Sequence, residues 1–207
     1  MLIAMDGPAA SGKGTLAKKL ASHYKLDHLD TGSLYRAVAR DMLNAGNDLN
    51  DEAKAADVAR NIDAGTLNDP QLRTPETGSA AAVVAKLPSV RQALVDYQRS
   101  FAKRPGGAVI EGRDIGTVVC PEADVKLFIE ASSKVRAERR HKELLEGGHD
   151  ISFDEILAQI EARDEADRSR AISPMKPAAD ALLLDTSDLG IEAAFKAAIE
   201  LIDNAMN

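Results

Sequence analysis

The feature that most constrains this chain is a glycine-rich loop near its start, Gly7-Pro8-Ala9-Ala10-Ser11-Gly12-Lys13-Gly14-Thr15. The loop follows an apolar run and opens a segment with helical periodicity. Its glycines let the backbone curl so that successive N–H groups point inward, and the helix N-terminus adds a partial positive charge. Lys13 supplies a mobile cation. We therefore predict that this segment, called here the phosphate loop (residues 7–15), binds the phosphate groups of ATP; a glycine-rich turn without a ligand is the alternative.

The position after Lys13 distinguishes this loop from the commonest version of the motif. That version has Ser or Thr there, to meet a magnesium ion, whereas this chain has Gly14, and its hydroxyl comes one place later at Thr15. The Gly-Lys-Gly-Thr variant is typical of nucleoside monophosphate kinases. Thr15 and Glu111 are the candidates for contact with Mg²⁺, and neither is assigned as a direct ligand.

Apolar runs alternate with amphipathic segments along most of the chain, which indicates an α/β fold with a central parallel sheet. The predicted strands are short and nearly all apolar, as expected of strands buried on both faces. They are Leu2 to Met5, Asp27 to Leu29, Ala108 to Glu111, Val125 to Ile129 and Ala181 to Leu184. The predicted helices are Lys13 to Tyr24, Ser33 to Asn44, Ser89 to Lys103, Ser132 to Glu146, Phe153 to Arg168 and Ile191 to Ala205.

The stretch 48–87 breaks this alternation, because it is rich in turn signals and contains no apolar run of the strand type. We interpret it as a partly helical excursion from one domain, 1–207, whose core comprises 1–47, 88–131 and 171–207. A second break at Glu146-Gly147-Gly148-His149-Asp150 predicts the tip of a helical hairpin.

Composition excludes several classes of protein. The net charge of −7, the 3% aromatic content and the absence of tryptophan argue against a nucleic-acid partner. No stretch approaches the roughly 18 to 20 apolar residues that cross a bilayer, so no membrane partner is expected. The single cysteine, Cys120, fits a reducing compartment and has apolar neighbours typical of a buried, inert thiol. We expect a monomer in the cytoplasm.

Charged residues follow two of the predicted strands, near the sheet edge where ligands of α/β folds bind. One segment is Asp30-Thr31-Gly32-Ser33-Leu34-Tyr35-Arg36, and the other is Glu111-Gly112-Arg113-Asp114-Ile115-Gly116-Thr117. Carboxylates there can hold magnesium waters and arginines can bind phosphate. The alternatives are a helix N-cap for the first segment and a turn with an internal Arg–Asp pair for the second.

The predicted helix from Phe153 carries an apolar stripe that becomes charged halfway along. Phe153, Ile156, Leu157 and Ile160 form the stripe, and the same side continues with Arg163, Asp167 and Arg170. Either these charges meet a polar ligand, or the helix extends past the core into water. On the preceding helix, a solvated face with ion pairs is the expected setting of Arg136, Arg139 and Arg140.

Several of these segments together resemble the bacterial cytidylate kinases. The matching segments are residues 6–8 and 11–15, 30–36, 112–117 and 163–170, in the family's order. The resemblance covers nearly the whole chain. It implies a three-layer P-loop kinase fold with a lid at about 136–150 and a monophosphate-binding excursion at about 48–87. The implied reaction is transfer of a phosphoryl group from ATP to CMP and dCMP with Mg²⁺, as part of pyrimidine nucleotide metabolism.

The resemblance also implies roles for individual residues. Lys13, Arg113 and Arg163 would be catalytic, and Arg139 would lie against the adenine of ATP. The acceptor nucleotide would be bound by Thr31, Tyr35, Arg36, Arg91, Arg113, Asp114, Asp167 and Arg170.

Two departures from the family pattern concern the base. The excursion is shorter than the strand-bearing insert of many members, and Ala82 lies where many relatives have a serine that helps to recognise cytosine. A P-loop kinase acting on UMP or on another small acceptor is therefore the alternative enzyme. A GTP-dependent switch is disfavoured, because the chain contains no Asn-Lys-x-Asp tetrad.

Overall fold

A computed structural model describes residues 1–206. Its strands are β1 (Leu2–Asp6), β2 (Asp27–Asp30), β3 (Ala108–Gly112), β4 (Val125–Glu130) and β5 (Leu182–Asp185). Its helices are α1 (Lys13–Tyr24), α2 (Thr31–Asn44), α3 (Glu52–Arg60), α4 (Pro75–Val84), α5 (Pro88–Ala102), α6 (Ser133–Glu146), α7 (Phe153–Ser169) and α8 (Ile191–Met206). The expected strands and helices all exist, with bounds within two residues of those predicted.

The five strands form one sheet in the order β2-β3-β1-β4-β5. β1 pairs in parallel with both β3 and β4, and β4 pairs in parallel with β5. The predicted α/β class with a central parallel sheet is confirmed. The chain leaves β1 toward β2 on one side of the sheet and later passes from β3 to β4 on the other side of β1. The carboxyl end of β1 is therefore a topological switch point, where α/β sheets bind ligands.

Contacts between Cα atoms divide the chain into two compact units, described separately below. Among the described residues, the first unit comprises 1–28 and 104–206. In its main core, α1 and α8 pack against one face of the sheet. The apolar side chains of Leu16, Leu20 and Ile202 on these helices form one buried cluster with those of the strands, such as Ile3 and Leu127. The predicted single domain with a three-part core remains a prediction.

Within this first unit, α6 and α7 form the helical hairpin predicted around residues 146–150. Ala137, Leu144, Ile156 and Ile160 form its small core, against which Ala10 of the phosphate loop packs. A capping box starts α7: Ser152 accepts a hydrogen bond from the Glu155 amide, and the Glu155 carboxylate accepts one from the Ser152 amide.

The second unit, Leu29–Lys103, is helical apart from the end of β2. α2 contacts α3 and α4, and α3 contacts α5. Between α3 and α4 the chain forms two short 3₁₀ turns, so the stretch 48–87 is helical and contains no strand among the described residues. Buried Arg40 donates hydrogen bonds to Asp41, Thr66 and Asp69, which fixes these turns against α2.

Two further findings concern single features. Cys120 is fully buried, as predicted. Within residues 1–206, no helix has the length and apolar character needed to span a bilayer.

Candidate functional site

Three residues of the phosphate loop have positive φ, as a tightly curled backbone requires. Gly7 has a φ of 146°, and a Cβ there would collide with the carbonyl oxygen of Ile129. Gly12 has a φ of 82° and Ala10 a φ of 59°. Ala10 is an uncommon case, because residues with a Cβ rarely adopt positive φ. Positive φ values within a few residues turn successive N–H groups toward one side, where they can donate hydrogen bonds to an anion.

The loop leads directly into α1, whose N-terminal end carries no compensating negative charge of its own. Gly12 is the N-cap without a side-chain cap, and the first turn of α1 contains no acidic residue. This end of the helix therefore keeps the partial positive charge that favours phosphate. Lys13, the first residue of α1, is buried and adds a full charge.

Lys13 is paired with a buried carboxylate. Lys13 Nζ donates to Glu111 Oε2 at 3.2 Å, and His28 Nε2 lies 2.9 Å from Glu111 Oε1. Burial alone would raise the pKa of Glu111, but the charge of Lys13 and the hydrogen bond to His28 outweigh it and lower that pKa to about 2. Glu111 is therefore ionised at neutral pH.

Glu111 also explains why a glycine follows Lys13. A Cβ at Gly14 would lie 3.3 and 3.4 Å from the two carboxylate oxygens of Glu111. An added side chain at position 14 would therefore press on this carboxylate, whereas Thr15, one position later, is exposed.

Asp6 connects the end of β1 to the segment after β3. Its carboxylate accepts hydrogen bonds from the amides of Ile115 and Gly116, both at 2.8 Å, at the start of a π-helical turn that spans Ile115–Val119. Burial raises the pKa of Asp6 to about 6, although the two amides act to lower it. Asp6 therefore holds Asp114, the residue before this turn, near the sheet edge.

The segment after β3 contacts α7 through the carboxylate of Asp167. Arg113 Nε donates to Asp167 Oδ2 at 3.1 Å, and Arg170 Nη2 lies 3.5 Å from Asp167 Oδ1. Arg163 lies half-buried one turn earlier on α7. The structure thus brings together two arginines and an aspartate that the sequence analysis assigned to the acceptor nucleotide.

Arg139 of α6 also contacts the phosphate loop. Its Nη1 donates to the Ser11 carbonyl at 3.3 Å, and its Nη2 donates to the Thr186 carbonyl at 2.6 Å. Thr186 Oγ1 donates to the same Ser11 carbonyl at 3.1 Å. Arg139 therefore lies between the loop and the turn after β5.

The remaining predicted acceptor-site residues belong to the second unit. Thr31 is the buried first residue of α2, and the guanidinium of Arg91 lies 5.8 Å from the ring centroid of Tyr35. Arg36 Nη1 lies 3.8 Å from the carboxylate of Asp30. Asp30 is the N-cap of α2 by position, but its carboxylate accepts from the Ser33 hydroxyl and makes no capping bond to the backbone.

The solvated helix face expected for the α6 arginines is wrong for Arg136. Its side chain is buried rather than solvated, and it pairs with buried Asp164 of α7. Arg140 does fit the expectation, because it is part-exposed and pairs with Glu143 one turn away. The apolar stripe of α7 is confirmed, and its most buried row runs Ile156, Ile160, Asp164.

Sequence reasoning missed three residues of this site: His28, Arg136 and Asp164. The spacing of four from Ile156 to Ile160 to Asp164 was the available signal for Asp164. Nothing in the pattern around His28 or Arg136 indicated their partners, which lie 83 and 28 residues away.

Comparisons with known proteins identify the family. The model of the family described as cytidylate kinase matches residues 3–204. The cytidylate kinase of Bradyrhizobium sp. (strain ORS 278) is 56% identical over 203 residues, which cover 98% of this chain and 96% of that protein. The cytidylate kinase of Azorhizobium caulinodans is 57% identical over 205 residues, covering 99% of each.

Among solved structures, an uncharacterized protein from Eubacterium ventriosum has a TM-score of 0.58 at 14% identity, with 98% of each chain covered, and supports the fold alone. The family match extends over nearly all of the chain and includes every segment that forms the site described above. This chain therefore belongs to the cytidylate kinase family.

Proposed function

We propose that this chain is a kinase that transfers the γ-phosphoryl group of ATP to CMP and dCMP, yielding CDP and dCDP. The observation that carries the proposal is the α1 N-terminus, which lacks both a capping side chain and an acidic first turn and has Lys13 beside it. In a member of this family, such an end is suited to the phosphates of ATP.

The chemistry demands mainly positioning and charge neutralisation, because phosphoryl transfer involves little covalent participation by the protein. Lys13 and the loop amides bind the phosphates of ATP, and Arg139 lies against its adenine. Arg163 and Arg113 neutralise charge on the group in transfer. Asp167, paired with both Arg113 and Arg170, fixes the direction of these guanidinium groups toward the acceptor.

We assign acceptor binding to two sets of residues, each described above within its own unit. The first set is Asp114, Arg113, Asp167 and Arg170, and the second is Thr31, Tyr35, Arg36 and Arg91. Two arginines in each set suit an acceptor that carries a phosphate of its own. We assign residues 48–87 to the acceptor-binding excursion and residues 136–150 to the lid.

The residues near Lys13 fit a magnesium ion held mainly by phosphates. Glu111 is ionised at neutral pH and Thr15 offers an exposed hydroxyl, and oxygen donors are the ligands that Mg²⁺ prefers. Within residues 1–206, no group of three or more His, Cys, Asp and Glu side chains could hold a metal. Glu111 and Thr15 would help to hold such an ion, which would offset the negative charge of the phosphates. We further expect a cytoplasmic monomer.

The test is transfer of label from [γ-³²P]ATP to CMP, with the product identified as CDP by chromatography. Omission of CMP controls for hydrolysis of ATP by water. Labelled CDP that depends on both substrates and on Mg²⁺ is the expected result. Hydrolysis of ATP without any transfer to CMP or dCMP would contradict the proposal.

A further inference from the structure

Arg136 of α6 donates hydrogen bonds through all three of its guanidinium nitrogens beside the phosphate loop, yet the roles assigned above do not use it. Its Nε donates to the Ala131 carbonyl at 2.9 Å, and its Nη1 donates to the Ala9 carbonyl and to Asp164 Oδ1, both at 3.1 Å. Its Nη2 donates to Asp164 Oδ2. Arg136 is 2% exposed and Asp164 is 4% exposed.

The contact with Ala9 bears on the direction of a loop amide. In a trans peptide the C=O and the next N–H point in opposite directions, and the described chain contains no cis peptide. Because Arg136 holds the Ala9 carbonyl on its own side, the Ala10 N–H points away from α6. Ala10 needs such support, since its φ of 59° is unfavourable for a residue with a Cβ.

The contact with Asp164 bears on the position of α7. Asp164 directly follows Arg163, so the bidentate pair fixes the backbone of α7 at the residue beside the proposed catalytic arginine. One guanidinium group therefore contacts both the phosphate loop and the helix that carries Arg163.

We propose that Arg136, held by Asp164, is a positioning residue for phosphoryl transfer. It orients the Ala9–Ala10 peptide so that the Ala10 amide faces the phosphates of ATP, and it sets the distance between the phosphate loop and Arg163. This inference rests on the proposed function. The competing view is that the pair only stabilises the hairpin of α6 and α7.

Stability and positioning can be separated because buried ion pairs often contribute little net stability when both charges are replaced by apolar groups. Arg136→Met/Asp164→Leu removes both charges together and leaves neither one buried without a partner. It also removes the hydrogen bond to the Ala9 carbonyl, which methionine cannot replace. Arg168→Met is the control, since Arg168 is exposed on α7 and lies outside the lid and the assigned site residues.

Steady-state kinetics with ATP and CMP, together with thermal melts, test the proposal. We expect the double variant to melt near the wild-type temperature but to show a kcat lowered by about 10- to 100-fold, with a raised KM for ATP and an unchanged KM for CMP. Arg168→Met should keep wild-type kinetics. A folded double variant with wild-type kcat and KM for ATP would overturn the proposal.

A second variant and an NMR measurement test the proposal if the double variant does not fold or if wild-type protein does not phosphorylate CMP. If the double variant does not fold, Arg136→Lys retains the charge but loses the bidentate geometry, and it should lower kcat in the same direction. The ¹⁵N-resolved amide signal of Ala10 should shift when wild-type protein binds ATP and shift much less in the variant. Because that signal reports ATP binding alone, it still tests the inference if wild-type protein fails to phosphorylate CMP, which would contradict only the proposed function.

Discussion

Glu111 Oε2 accepts a hydrogen bond from Lys13 Nζ at 3.2 Å, so the lysine of the phosphate loop is ion-paired to the strand beside it. Both side chains are less than a tenth exposed, and His28 binds the other oxygen of Glu111. Two consequences follow: removal of Lys13 affects stability as well as activity, and the ionisation of Glu111 contributes to the pH dependence of folding.

Lys13→Met should abolish most turnover and also destabilise the protein. The loss of a charge-assisted contact to phosphate is expected to lower kcat by at least about 100-fold. Glu111 would remain buried without the charge of Lys13 beside it, which costs about 1–3 kcal/mol of the free energy of unfolding. Lys13→Met/Glu111→Gln should recover much of that stability without recovering turnover. Wild-type turnover in Lys13→Met would rule out the role of the loop lysine.

Gly14→Ala should destabilise the protein and slow the reaction. Its methyl group would press on the carboxylate of Glu111, which Lys13 and His28 hold from two sides, and overpacking of this kind costs roughly 1–3 kcal/mol. Gly78→Ala is the control, because Gly78 lies within α4 and no atom lies within 4 Å of an added Cβ. That variant should be neutral or slightly more stable. Denaturant titrations and kcat for both variants provide the comparison, and equal behaviour of the two would contradict the packing argument.

Glu111 should make the wild-type protein more acid-sensitive than Glu111→Gln. The folded-state pKa of about 2 lies below the ordinary value of 4.5, so the stabilisation is fully present above pH 4.5 and is lost as the pH falls toward 2. The free energy of unfolding of the wild type, relative to the variant, should fall by roughly 3 kcal/mol across that interval. Urea titrations at several pH values measure it. A difference between the two proteins that does not change with pH would contradict the assignment.

Arg163, Asp167 and Arg170 should affect different kinetic constants. Arg163→Ala should lower kcat by about 10³-fold, because its charge acts mainly in the transition state. Asp167→Ala and Arg170→Ala should raise the KM for CMP and lower kcat while the KM for ATP stays near wild type. Arg168→Ala, an exposed arginine on the same helix, should behave as wild type, since exposed ion pairs contribute only about 0–1 kcal/mol. Three folded variants with normal kinetics would mean that this side of α7 is only a charged surface.

The fold was largely predictable because it depends on local patterns. Short apolar runs predict four of the five strands, whereas β2 has only Leu29 as an apolar residue, and the periodicity from Phe153 predicts the buried side of α7. The phosphate loop was predictable for the same reason, since its glycines and Lys13 are contiguous.

Contacts between distant residues could not be predicted in the same way. Arg136 looks like any other charge on a polar helix, and only the fold brings it to Asp164 and Ala9. Likewise, Gly14 is an unexplained departure in the sequence until the fold places Glu111 beside it. Ala82, where the resemblance leads us to expect a departure from the family, is exposed on α4, and its effect on base recognition remains a prediction.

Nucleotide selectivity is the most direct test of the central claim. The measurement is kcat/KM with ATP as donor and CMP, dCMP, UMP, AMP and GMP as acceptors in turn, by coupling ADP formation to NADH oxidation. CMP and dCMP should exceed AMP and GMP by a wide margin, because a pyrimidine pocket excludes purines by size. UMP should be the best of the others, because we expect Ala82 to lie where many relatives have a serine that helps to distinguish cytosine from uracil by hydrogen bonding. An efficiency with AMP equal to that with CMP would contradict the account.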